Sequence, residues 1–421
     1  MLLFSLLFIS GNGSQANQNK PLAYSPAAEP EAAQEVAQKG FILQYPECVY
    51  PTSFGNRELR IYDEEPIAPT PVSILSPVHQ AAQPIRTTHH ILPELPLAEP
   101  YTLRWRIGVG IPEQNPHLFP WPKTRPGWYL TWTTGARNIE SSSGTQNDVK
   151  MALPDEKAIG MSFAPMVRVR QGNLHPDPQI LGNLAAQNHG RTWLIGNEPD
   201  VEWQDNTTPE EYAYAYRCAY AVIKDTDPSA HIAIGGVSQV TPLRLAYIDR
   251  IWTFYASEFG ERMPVDIWNM HAFVLREEAD SWGVRIPPGF EEITSGMLWE
   301  TDDHSDIMLI REQIVRMRQW MAEHGEREKP LIISEYGILL PESFGYPKHI
   351  ISEFMWDSFD LFVDLRDSAL GYPADDNRLV QRWVWFSSRY HLYESGDLYD
   401  SSGNPTILTR ALNVYIEQHA E

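Results

Sequence analysis

The chain has 421 residues, of which 43% are hydrophobic, 11% aromatic and 21% charged, a globular composition that excludes a disordered or fibrous protein. Its 33 Lys and Arg against 55 Asp and Glu leave a formal charge of −22, a surface that repels phosphate backbones and anionic lipid. Two cysteines, Cys48 and Cys218, are too few for a disulfide scaffold or a four-cysteine zinc site; they form one bridge at most, and two unrelated thiols are the simpler expectation.

Residues 1–20 open with MLLFSLLFIS, an apolar run too short to span a bilayer and of the length of a signal-peptide core, followed by a small polar stretch. No Lys or Arg precedes Lys20, so the usual basic start is missing. The expectation is export, with a secreted or extracytoplasmic mature chain that inserts in no membrane. Residues 21–100 hold 13 of the 34 prolines and show no helical or alternating period. Proline fixes φ and removes a donor, so this region reads as an extension or linker. His89-His90 falls inside it and reads as incidental.

From Tyr101 the pattern changes. Eight apolar runs of strand length recur, at 103–111, 128–132, 163–169, 192–196, 231–237, 266–270, 331–334 and 382–386. Runs rich in Val, Ile and Trp and bounded by Gly, Pro and Asp read as parallel strands buried on both faces. Between them Thr208-Pro209-Glu210-Glu211 starts a helix with a cap, a proline and two acids. Asp306 opens another, with Ile307, Ile310, Ile314, Met317 and Met321 on one face and Gly325 at its end. Leu245, Ile248, Trp252, Tyr255 and Phe259 make a third stripe before Gly260. Strand and helix alternating eight times over residues 101–421 predict an α/β fold, a (β/α)8 TIM barrel. An open doubly wound sheet is the alternative, but Gly108-Val109-Gly110 lacks the third glycine of a nucleotide loop.

Barrel sites lie at the carboxyl ends of the strands. Run four ends in Gly196-Asn197-Glu198-Pro199-Asp200, run six in Asn269-Met270-His271-Ala272-Phe273, run seven in Ser334-Glu335-Tyr336-Gly337, and run eight contains Trp383 and Trp385. Glu198 and Glu335 thus sit on one rim, where a carboxylate is costly unless solvated or paired. Arg106, Arg168 and Arg170, on runs one and three, are the partners that a purely structural role would use. Two facing carboxyl groups also suit cleavage of a glycosidic bond, one protonating the leaving oxygen while the other stays ionised.

Asn197-Glu198-Pro199 after a fourth strand, with Glu335 ending a seventh, resembles the retaining glycoside hydrolases of clan A. Asn-Glu-Pro-Asp is similar to the alkali-sensitive-linkage-type glycosyl hydrolases that act on β-1,3-glucan. The resemblance covers about residues 101–421. It implies that Glu198 is the acid/base, Glu335 the nucleophile and Asn197 a ligand of the sugar 2-hydroxyl, with carboxyl groups roughly 5–5.5 Å apart. It matches His271 to a sixth-strand histidine and makes Trp385 the floor of a sugar site, the alternative being that Trp383 and Trp385 both simply pack against helices. The family's His-x-Tyr is here His271-Ala272-Phe273, so the tyrosine hydroxyl has to come from elsewhere, from Tyr336 or a loop. Arg168 and Arg170 either hold Glu335 ionised or fill the barrel as charge partners.

The long connection 274–306 carries Trp282, Phe290 and Trp299, either as a cleft wall or tucked onto the barrel. No His-Glu-x-x-His and no Gly-x-Ser-x-Gly occurs, and the clan chemistry needs no metal or organic cofactor. Asn206-Thr207-Thr208 is a formal glycosylation sequon. The expected partner is a β-linked carbohydrate. The rival readings are a non-catalytic carbohydrate-binding barrel, favoured by Phe273, and an acidic surface protein with both glutamates locked in ion pairs.

Overall fold

Parallel strand pairing organises the computed structural model, which describes residues 44–49, 89–135, 137–139 and 150–419. The signal-like segment and most of residues 21–100 lie outside the described residues. The strands of the ring are β1 (Ile107–Gly110), β2 (Trp128–Leu130), β3 (Ser162–Phe163), β4 (Met166–Arg170), β5 (Thr192–Asn197), β6 (His231–Gly236), β7 (Trp268–His271), β8 (Leu331–Tyr336) and β9 (Arg382–Trp385). β1 pairs with β2 and β2 with β3; β4 pairs with β5 and β5 with β6. Bridges Ala233–Ile267 and Val237–Met270 join β6 to β7, and β7, β8, β9 and β1 complete the circuit.

The circuit is a TIM-like ring of eight parallel staves, because β3 and β4 are one stave broken at Ala164-Pro165. Ala164 still donates to Tyr129 O at 3.0 Å, while Pro165, with no N–H, only accepts from Leu194 N. Run one also differs from its prediction: residues 103–106 form a helical turn capped by Thr102 before the strand starts. Inside the ring Trp128, Leu130, Ala164, Met166, Leu194, Ala233, Ile332 and Val384 form one apolar cluster. Arg106 closes the seam between first and last staves, with a buried two-pronged pair to Asp375 at 2.7 and 2.6 Å and a bond to Gln381 O.

The outer layer contains α1 (Pro178–Gln187), α2 (Pro209–Thr226), α3 (Pro242–Phe259), α4 (Ile307–Glu323), α5 (Lys348–Asp364) and α6 (Ile407–Gln418). Thr208 caps α2 reciprocally with Glu211, and Asp306 caps α4 through Met308 N. On α3 the buried face is Arg244, Tyr247, Ile248, Ile251 and Tyr255, offset from the predicted stripe because the buried Arg244 joins it. Among the described residues no helix is long and apolar enough to cross a membrane.

The two cysteines are not unrelated thiols. Cys48 and Cys218 form a disulfide with Cα atoms 4.6 Å apart, holding the turn Pro46–Cys48 against α2. Tyr45 Oη donates to Asp225 Oδ2 beside it at 2.9 Å. Farther along, Arg125 and Arg104 donate to the carbonyls of Pro93 and Pro96, so the end of the proline-rich region is bound to the barrel.

Candidate active site

Glu198 leaves β5 through a tight turn. Gly196 (φ +97°) and Glu198 itself (φ +42°) both occupy the left-handed region, which is uncommon for a residue with a side chain. The turn is pinned by Glu198 N to Gly236 O at 2.9 Å and by the Asp205 carboxylate, which accepts from Asn197 N and Val169 N. Arg168 pairs with that same Asp205 at 2.6 Å and donates to Gln204, which in turn accepts from Asn197 Nδ2. Arg168 is therefore the buried counter-charge of a structural aspartate, and its charge also favours the ionised form of Glu335. The other face of the turn is held by Asp200, buried against Arg244 and Ser238. Burial raises the Asp200 carboxyl, with Arg244 opposing and Glu198 adding to the rise.

Glu335 reaches the same mouth through a bulge. Between Ile333 and Tyr336 the β8 register slips, so that Ser334 and Glu335 together occupy one step of the ladder. Asn269 Oδ1 accepts from Ser334 N, and Ala272 N donates to Glu335 O. His271, at the end of β7, stands between the two acids: Nδ1 is 2.9 Å from Glu198 Oε1 and 3.9 Å from Glu335 Oε2. One atom from each of Glu198, His271 and Glu335 lies within 4.8 Å of the others. The glycine at 236 makes room, since a Cβ there would stand 2.5 Å from the His271 ring. Among the described residues neither glutamate is ion-paired with an arginine, and the charged partner they share is His271.

All three groups are buried, at 7% exposure for each glutamate and none for His271. Burial pushes the Glu335 carboxyl up to about 7, Glu198 adds to the rise, and His271 and the Trp132 N–H oppose it. Burial works against a charge on His271, yet the two carboxylates outweigh it and raise its pKa. These three side chains are the described residues' one group of this kind able to hold a cation.

Sequence reasoning missed Trp132, the direct neighbour of Glu335: its Nε1 donates to Oε2 at 2.7 Å. No sequence signal pointed to it; the space its ring fills is left by Gly110 on the neighbouring β1, where a Cβ would meet the Trp132 ring at 2.4 Å. Tyr336 does not supply the missing hydroxyl. Its side chain points behind β8, with its OH 3.1 Å from Ser358 Oγ. Phe273 is buried in a cluster with Val201, Leu275 and Val284, flanked by Trp203 and Trp282.

Trp385 also requires correction. It is fully buried, donates to Gly396 O at 2.8 Å and packs edge-on against Tyr336, so it offers a sugar no face. Strand alternation puts Val384 inside the ring and turns Trp383 and Trp385 outward toward α5. The next residue, Phe386, lies 5.5 Å from the Trp132 ring and in contact with Tyr390 and Tyr393. Tyr393 is pushed up to about 12 by burial and by the charges of Glu198 and Glu335. In the long connection, Phe290 is tucked against Tyr247 and Arg250, away from a wall role.

No family model and no curated protein matches the chain. Among solved structures it is similar to a GH128 (subgroup II) endo-β-1,3-glucanase from Pseudomonas viridiflava, with 16% identity and a TM-score of 0.46 over 73% of this chain and 96% of that one. It is also similar to a GH128 (subgroup I) endo-β-1,3-glucanase from Amycolatopsis mediterranei solved with laminarihexaose, at 16% identity and a TM-score of 0.44, covering 74% and 99% of the two chains. A GH128 (subgroup VII) oligosaccharide-binding protein from Trichoderma gamsii shares 13% identity at a TM-score of 0.46, covering 77% and 98%.

Proposed function

We propose that the chain is a retaining glycoside hydrolase acting on a β-linked glucan, with Glu198 as acid/base and Glu335 as nucleophile. One observation carries this reading: two buried carboxyl groups from non-adjacent staves have oxygens within 4.8 Å at one barrel mouth. Oxygens this close support the retaining reading, because an inverting pair stands roughly 6.5–9.5 Å apart to leave room for a water.

In the first step Glu335 attacks the anomeric carbon as the bond to the leaving oxygen breaks and Glu198 delivers its proton there. In the second, Glu198 takes a proton from water, whose oxygen displaces Glu335 and frees the sugar. Asn197 Oδ1, buried and without a hydrogen-bond partner, is available to accept from a sugar hydroxyl. The rise at Glu335 runs opposite to this division of roles, since the nucleophile must be ionised. Two neighbours support the assignment nonetheless. Trp132 Nε1 can only donate, so it favours an ionised Glu335, and a positive charge on His271 favours the same state.

The test is reducing-sugar release from β-1,3-glucan, mannan and xylan, with laminari-oligosaccharides first because Asn197-Glu198-Pro199-Asp200 resembles enzymes of that linkage. Proton NMR of the first product should show the β-anomer, and Glu335→Gln should abolish release. Initial α-anomer, or undiminished release by Glu335→Gln, overturns the assignment. Phe273 supports a second reading, a carbohydrate-binding barrel without turnover; calorimetric binding of the oligosaccharides with no release distinguishes it.

The mature chain is further proposed to be exported, with residues 1–20 as the signal, 21–100 as an extension and 101–421 as the catalytic unit. The Cys48–Cys218 bond supports an oxidising compartment.

A further inference from the structure

His304 lies in the 274–306 connection, outside the acid pair, and is 1% exposed. Its Nδ1 is 2.9 Å from Val274 O, three residues beyond His271. Its Nε2 is 2.9 Å from Leu339 N, four residues beyond Glu335. A carbonyl only accepts and a backbone N–H only donates, so Nδ1 carries the proton and Nε2 is bare: the ring is neutral and its tautomer is fixed. Burial keeps it so, lowering its pKa to about 4. Tyr346 packs edge-on against the ring and donates from its OH to Thr301 O, which ties the 337–347 loop to the same segment a second time.

The other polar side chains holding the start of the 274–306 connection look elsewhere. Gln313 donates to Phe273 O and accepts from Val240 N, and Gln239 both donates to and accepts from Leu275. His304 alone among these joins the segment leaving His271 to the segment leaving Glu335.

We propose that His304 is a positioning residue, a strut that fixes the chain leaving His271 relative to the chain leaving Glu335. The inference rests on the glycosidase reading for its effect on turnover, but the strut itself can be tested without turnover. Small displacements of reacting groups cost rate steeply, on the order of 100-fold for about 1 Å.

The experiment compares wild type, His304→Phe and His304→Gln as full-length oxidised protein. Phenylalanine keeps a ring beside Tyr346 and loses both hydrogen bonds. Glutamine restores one donor and one acceptor with nearly the imidazole spacing. Hydrogen–deuterium exchange in His304→Phe should show lost protection in both 273–276 and 337–341, with α6 unchanged. On a responsive glucan, kcat should fall by about 10–100-fold with KM little changed, and His304→Gln should recover most of the loss. In wild type, nitrogen NMR of the ring should report a protonated Nδ1 and a bare Nε2.

Protection lost in one segment only, or in neither, overturns the strut, as does the opposite tautomer. A fall in KM and kcat together without rescue by Gln also overturns it. If no glycan is cleaved, the exchange and NMR results still decide the strut, and the glycosidase reading fails separately.

Discussion

Trp132 holds Glu335 from across the barrel mouth: the indole N–H at the end of the second stave donates to Oε2 in the bulge of the seventh at 2.7 Å. A hydrogen bond to an ionised group contributes about 1.5–3 kcal/mol. Trp132→Phe keeps most of the ring and removes the donor. The expected loss in kcat is about 10–100-fold. Because the donor stabilises the carboxylate, its removal raises the Glu335 pKa, and the acid limb of the kcat/KM profile should move to higher pH.

Glu335 itself is a stability liability. Its folded pKa, about 7, lies above the value of an exposed glutamate, so the folded state binds the proton more tightly than the unfolded one. Stability is therefore lost as pH rises from about 4.5 toward 7. Glu335→Gln removes this dependence and should melt higher than wild type, by a margin that widens across that window. Thermal melts at pH 4.5, 6 and 7.5 provide the check.

Gly236→Ala tests the space reserved for His271. The added methyl would sit 2.5 Å from the ring's Cδ2, near Asn269 as well. Overpacking of this sort costs about 1–3 kcal/mol of stability. The larger effect should be on kcat, because His271 contacts Glu198 and lies near Glu335. A variant with wild-type kcat would show that the ring has room to move without consequence.

Asp375→Ala leaves Arg106 charged and buried at the seam between first and last staves. Removing one partner of a buried ion pair costs about 3–5 kcal/mol. Urea denaturation should show that loss, whereas Arg106→Met together with Asp375→Leu should recover much of it.

The Cys48–Cys218 bond closes a loop across 170 positions of sequence. Replacing both cysteines with serine should lower stability by about 2–5 kcal/mol, measured by chemical denaturation without reductant. Activity at room temperature should change little, since the bond ties the turn Pro46–Cys48 to α2 and not to a stave end.

The amino-acid sequence alone determined the alternation of staves and helices and placed Asn197, Glu198, His271 and Glu335 at stave ends. Those features are local: a strand buried on both faces must be a short apolar run, and a helix start needs its cap within four residues. Tertiary structure decided which way the side chains turn. In a strand the facing side alternates at every residue, so the outward phase of β9 sent Trp385 behind the barrel, and one extra residue in β8 brought Glu335 to its mouth. Trp132 meeting Glu335, Cys48 meeting Cys218 and His304 bridging two rim segments join positions far apart in the chain, and no spacing or period in a single sequence encodes such encounters.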